Sequence, residues 1–184
     1  MDDSELFPSI LQAARRGDPA ALSSLFRDIY PRVLRYLQAR EPSEAEDLAS
    51  DVWLDVAVGL AGFEGDRRGF VAWVFTIARR RLIDLRRRRA RRPHVPIEAL
   101  SEERMPIGDT EGEALERIST AEALALIGTL PDEQADVVLL RVLGGLSVEE
   151  VAAIIGKRPG NVRVIQHRAL RRLARATQAK GVTG

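Results

Sequence analysis

The chain has 184 residues, 45% hydrophobic and 5% aromatic, with no cysteine and a net charge of +1. That length suits one medium domain or two small ones, and the missing thiols exclude disulfides, thiolate zinc sites and cysteine nucleophiles. The charges are strongly segregated: residues 41–66 hold eight Asp/Glu and no Lys/Arg, residues 77–92 nine Arg and one Asp, and residues 157–180 eight Lys/Arg and no acid. Such blocks create local fields that a near-neutral total conceals. Of the 28 basic residues 26 are Arg, whose planar fork pairs with phosphate and stacks on bases. GC-rich codon usage explains Arg over Lys in bulk, but not the clustering. The acidic first residues predict no signal peptide. The longest apolar stretch, around Val56 to Phe63, is too short to span a membrane, so a cytoplasmic protein without membrane insertion is expected.

In chain order, residues 1–19 read as an N-terminal leader, with a helix from Leu6 to Arg15 broken by Gly17-Asp18-Pro19. Leu22, Leu25, Phe26, Ile29, Val33, Leu34 and Leu37 then recur at helical spacing to about Arg40, with a break or kink expected near Pro31. Ser43-Glu44-Ala45-Glu46 spells a capping box and predicts a helix over 44–60. Its stripe is Leu48, Val52, Val56 and Leu60; Asp47, Asp51 and Asp55 form an acidic row. A long helix follows over 69–92, buried through Val71, Val74, Phe75, Ala78, Leu82 and Leu85 and basic elsewhere. Residues 93–117 are acidic and punctuated by Pro93, Pro96, Pro106, Gly108 and Gly112, which predicts a flexible linker. Helical periodicity resumes near Ile118. Pro131 opens a helix that Gly144-Gly145 ends. Ser147-Val148-Glu149-Glu150 is a second capping box, and Gly156 closes its helix. A basic helix starts near Pro159 and runs to about Ala176. No stretch reads as a strand, so the expected fold is all-α: two small helical domains, residues 20–92 and 118–184, joined by the linker.

Residues 146–163 have the pattern of a helix-turn-helix, whose second helix enters the DNA major groove. In that helix Val162, Ile165, Ala169 and Leu173 form the buried stripe. Asn161, Arg163, Gln166 and His167 fall in the first two turns and are the candidates for reading base edges. Lys157, Arg158, Arg168, Arg171 and Arg172 are placed to hold phosphates. His167 reads equally as a plain surface residue. The upstream basic helix suits melted DNA, in which arginines pair with phosphates and planar groups support unstacked bases. Its candidates are Arg79, Arg80, Arg86, Arg87 and Arg88, with Trp73 and Asp84 shaping the site. Trp73 reads alternatively as a core anchor, and Asp84 as a partner of neighbouring arginines.

Two blocks carry a family resemblance. The first is Glu46-Asp47-Leu48 through Leu60 with Phe70-Val71-Ala72-Trp73-Val74-Phe75-Thr76-Ile77-Ala78-Arg79 and Leu82-Ile83-Asp84-Leu85-Arg86-Arg87. The second is Leu130-Pro131-Asp132-Glu133-Gln134 with Leu146 to Gly156 and Gly160-Asn161-Val162-Arg163 through Leu173. They resemble regions 2 and 4 of the extracytoplasmic-function (ECF) sigma factors, the compact bacterial group IV of the main sigma family. The resemblance implies a subunit that binds core RNA polymerase and directs it to promoter DNA. Region 2 would capture the melted −10 element and region 4 the −35 duplex, and an anti-sigma factor would control both. It also makes the acidic helix the candidate polymerase contact, through Asp47, Leu48, Asp51, Trp53, Leu54 and Asp55; a solvated acidic face is the alternative there. Two positions depart from the family pattern. Arg80 stands where Asn is common, so the preferred −10 base differs or the position binds backbone instead, since Arg only donates. Arg158-Pro159 replaces a capping Ser, a start that Pro at the first helical position preserves.

A stand-alone helix-turn-helix regulator is the competing reading, separated from the first by whether polymerase is required. An enzyme is not expected. The carboxylates of 44–60 form a single row without His, and His94 and His167 fall in no triad or zinc pattern, so no catalytic residue, metal or cofactor is predicted.

Overall fold

A computed structural model describes residues 3–91 and 111–181; the core of the expected linker, 92–110, lies outside the described residues. The described residues form eight α-helices: α1 (Asp3–Arg15), α2 (Pro19–Arg40), α3 (Ala45–Gly59), α4 (Arg67–Arg91), α5 (Glu111–Gly128), α6 (Asp132–Val142), α7 (Val148–Ile155) and α8 (Pro159–Gly181). Short 3₁₀ turns at Pro42–Glu44 and Leu60–Gly62 flank α3. Residues 111–117, expected in the linker, already belong to α5.

Helices α1–α4 form the first unit. Asp18 caps α2, its carboxylate accepting from the amides of Ala20 and Ala21, and Pro19 follows where its missing N–H costs nothing. The expected break at Pro31 does not occur: α2 runs unbroken to Arg40. Ile29, Val33, Tyr36 and Leu37 are buried around the proline, and their packing holds the helix across one missing hydrogen bond. The capping box at Ser43 does not form either. Ser43 lies inside the 3₁₀ turn, and α3 starts at Ala45 with no side-chain cap. Phe7, Leu11 and Ala14 of α1 are buried in the same core as α2–α4, so the helix within the expected leader contributes to that core.

Helices α5–α8 form the second unit. Ser147 does cap α7: its hydroxyl accepts from the Glu150 amide while the Glu150 carboxylate accepts from the Ser147 amide. Gly156 ends α7 in the left-handed conformation at φ 69°, where a side chain would be strained. The Lys157 amide donates back to the Ala152 carbonyl, and α8 begins two residues later. Val162 and Ala169 are its deeply buried positions, with Ile165 and Leu173 partly buried beside them.

The two units pack on one another. One hydrophobic cluster runs from α1–α4 into α6, α7 and the start of α8. At the seam Gly128 of α5 meets α2 so closely that a Cβ there would lie 2.7 Å from the Ala39 carbonyl oxygen. Arg32 of α2 donates to the carbonyls of Leu143 (2.7 Å) and Gly144 (2.8 Å) in the turn after α6.

The Ser147→Ala variant should lose about 1 kcal/mol of stability through its missing N-cap, read as a lower urea midpoint with an unchanged slope. An unchanged midpoint would show that α7 is held by packing alone.

Candidate nucleic-acid interface

The turn between α7 and α8 brings one side of α8 to solvent. Arg158, Asn161, Arg163, His167, Arg168 and Arg171 are exposed, and Gln166 is half-buried. Arg163 is held by Glu149 of α7 at 3.1 Å, and Lys157 by Glu133 of α6 at 2.9 Å. Arg168, Arg171, Arg172 and Arg175 line a shallow basic depression further along the helix. No acid follows Glu150 in the chain, so the exposed side of α8 is uniformly positive or neutral. A helix entering a groove lined by phosphates needs that charge pattern.

The arginines of α4 are placed differently. Arg80 is exposed, 3.6 Å from Asp55. Arg88 is exposed too, and Arg87 lies 4.0 Å from Asp84. Arg79 and Arg86 instead face the second unit. Arg79 donates to Asp136 at 3.0 Å and reaches the Ile154 carbonyl at 3.5 Å. Arg86 donates to the Arg40 carbonyl at 2.8 Å and pairs with Asp132 at 2.9 Å. Trp73 is half-buried, stacked on Phe63 with ring centroids 5.1 Å apart and tilted against Phe70. Its indole fits against Gly59, where a Cβ would lie 2.7 Å from the ring.

The acidic helix α3 is only partly a free surface. Asp55 takes a two-pronged bond from Arg81 of α4, at 2.7 and 2.5 Å, and Asp51 lies 3.6 Å from the same guanidinium. The Arg81 hydrogen bond and charge hold the Asp55 carboxyl below its usual range. Leu48 is 3% exposed. The helical period turns it into the core with Val52 and Val56, which removes it from any contact surface. Trp53 is half-buried, edge-on to Phe26. Asp47 is exposed, and Leu54 and Val58 stand 63% and 85% exposed, an apolar pair beside the groove lined by Trp73, Ile77 and Arg80.

A buried polar centre escaped the sequence reading. Asp136 of α6 is 5% exposed, Arg40 7% and Tyr36 0%. Asp136 accepts from the Tyr36 hydroxyl (3.1 Å), Arg40 (3.1 Å) and Arg79 (3.0 Å). Asp132, one turn earlier, binds the other prong of Arg40 at 2.8 Å. Its one visible signal was an Asp inside the apolar run from Ala135 to Leu140. Burial pushes the Tyr36 hydroxyl well above its ordinary pKa, and the adjacent Asp136 charge adds to that. For Asp132 partial burial favours the neutral acid, but the hydrogen bonds and charges of Arg40 and Arg86 prevail and its pKa falls. Glu150 behaves likewise: its desolvation is outweighed by the Ser147 amide and by Arg68 at 2.9 Å.

The described residues are thus built from helices, with a helix-turn-helix in the second unit and an arginine-rich helix in the first, the pattern of a DNA-binding protein. Residues 25–92 match Sigma-70 region 2, and residues 120–173 match Sigma-70 region 4. The ECF RNA polymerase sigma factor ShbA of Streptomyces griseus subsp. griseus is 35% identical over 182 residues, covering 94% of this chain and 95% of the relative. SigD of Mycobacterium tuberculosis, also an ECF RNA polymerase sigma factor, is 34% identical over 183 residues, covering 96% and 86%. The fold is shared with CnrH, solved with the cytosolic domain of CnrY, at TM-score 0.65 and 19% identity over 94% of this chain and 97% of that one. It is shared too with the sigma factor RpoE of Bartonella quintana, solved with the anti-sigma factor NepR, at TM-score 0.64 and 23% identity over 85% and 96%. The chain belongs to the ECF RNA polymerase sigma factors, and its function is that of a promoter-directing initiation factor. Among the described residues no helix is long and apolar enough to cross a membrane.

Two pH flanks follow. Asp132, Glu150 and Asp55 have lowered folded-state pKa values. Their contribution is present above the unfolded carboxylate range, about 4, and is lost as pH falls through the lower folded values. The Tyr36 value is raised, so its contribution is intact below about 10 and is lost above that. Urea midpoints should be flat from about pH 5 to 9 and drop on both sides. Replacing Tyr36 with Phe should flatten the alkaline drop and cost about 1 kcal/mol at neutral pH.

Proposed function

We propose that α8 reads the −35 duplex, that the exposed basic face of α4 holds the melted −10 strand, and that the exposed part of α3 meets core polymerase. The observation that carries this reading is the acid-free exposed side of α8, set at a helix-turn-helix whose cap and turn are both formed. Asn161, Arg163, Gln166 and His167 are the base-reading set. Arg158, Arg168 and Arg171 hold phosphates, as Arg80, Arg87 and Arg88 do on α4, beside Trp73 and Asp84. Arg79 and Arg86 join the −10 set once the second unit moves away. Asp47, Asp51, Trp53, Leu54 and Asp55 form the polymerase surface, Leu54 and Val58 supplying its apolar centre. The protein acts as a cytoplasmic, non-enzymatic subunit under the control of an anti-sigma factor, by analogy with the relatives seen bound to CnrY and NepR. Residues 20–92 and 118–184 work as the two gripping domains, with 93–117 as the connection.

Reconstitution with core polymerase on a cognate promoter tests the reading as a whole. Specific initiation should require both proteins, and tight sequence-specific duplex binding by the chain alone would favour the stand-alone regulator instead. Replacing Arg163 with Ala should relax −35 selectivity by about 1–3 kcal/mol per contacted base while changing nonspecific affinity little. A uniform loss across sequences would make Arg163 a phosphate contact. Changing Leu54 to Glu should weaken core binding at least tenfold with an unaltered melting curve; unchanged affinity for core removes α3 from the interface.

A further inference from the structure

We propose that the free protein is self-masked, the carboxylates of α6 occupying the arginines that −10 DNA would otherwise bind; this deepens the functional reading above and rests on it. Asp132 and Asp136 lie four residues apart and therefore on one face of α6. Between them they engage Arg40, Arg79 and Arg86 of the first unit, all at 2.8 to 3.1 Å. Carboxylate and phosphate offer arginine the same paired-oxygen geometry, so α6 presents two anions where a nucleic-acid backbone would present consecutive phosphates.

The seam extends beyond this pair. Arg68 of α4 holds Glu150 of α7, Arg32 caps the carbonyls after α6, and Gly128 lets α5 lie against the α2 backbone. Arg79 cannot keep Asp136 and take a phosphate with the same Nε–H. Glu41 also lies 3.5 Å from Arg86, so a polyanion has to displace carboxylates to reach these guanidiniums. Closure therefore appears as a reduced affinity for single strands, scaled by the open fraction. The reading face of α8 is exposed in the closed form, so duplex binding carries no such penalty.

The test uses the full chain. Because it has no cysteine, dyes can be placed at Ser23→Cys in α2 and Gln178→Cys in α8, both exposed. Two variants open the seam by different routes. Asp136→Asn removes the central charge. Gly128→Leu forces α5 off α2 and touches none of the DNA-binding side chains. Cooperative thermal melting confirms that each is folded. Energy transfer between the dyes should fall in both variants. Affinity for a labelled random 20-nucleotide single strand should rise about tenfold or more, while affinity for the corresponding duplex moves less than about twofold. Adding Arg79→Ala and Arg86→Ala together should cancel the single-strand gain. Unchanged transfer in both folded variants overturns the closed seam. Reduced transfer with unchanged single-strand affinity overturns the masking, and with it the assignment of −10 DNA to these arginines, whereas loss of promoter-specific initiation by the wild type would strike the functional reading separately.

Discussion

The Asp136 carboxylate is the interaction on which the arrangement of the two units depends. A buried charge is tolerable only when its hydrogen-bonding capacity is filled, and here the filling comes entirely from the other unit, through Tyr36, Arg40 and Arg79. The hub is not a strong glue, because desolvating so many ions offsets much of their attraction. Its effect is to fix one geometry. A docking of α6 that moved Asp136 away from Tyr36, Arg40 and Arg79 would cost the carboxylate these partners.

The same economy governs the rest of the first unit. Arg81 satisfies Asp55 and lies near Asp51, so the acidic row on α3 and the basic run on α4 neutralise one another along their contact. Arg89 reaches Glu41 and Glu44 at the far end. The segregated charge seen in the linear chain becomes complementary charge in three dimensions. What remains at the surface is a smaller set: Arg80 and Arg87, each beside one carboxylate, and Arg88 on α4, together with the outward side of α8.

The helices, their periodicity and the helix-turn-helix were legible because each rests on local rules: apolar spacing, a Ser147 cap, a glycine able to take positive φ. The failures were local rules overridden by packing. Pro31 was expected to break α2, but buried neighbours on both sides kept it helical. Ser43 fitted a capping box, but the chain turned through a 3₁₀ segment there. Leu48 was assigned to a surface although its own stripe had already placed it inward. The hub was invisible for a different reason. Asp136 meets residues 57 to 100 positions away, and periodicity carries no information about such partners. Arg79 and Arg86 were read as candidates for −10 DNA, and nothing in their spacing showed that they meet another part of the chain.

Helix α4 carries a consequence of its own. It is continuous from Arg67 to Arg91, about 37 Å at 1.5 Å per residue. The aromatic cluster of Phe63, Phe70 and Trp73 sits at one end and the arginine-rich turns at the other. With no joint between them, the basic end is indexed to the aromatic end by helical phase alone. A single residue inserted or deleted between Ile77 and Arg86 would swing every later guanidinium by about 100° around the axis. The chain can therefore vary the chemistry of these positions, as Arg80 illustrates, far more freely than it can vary their number.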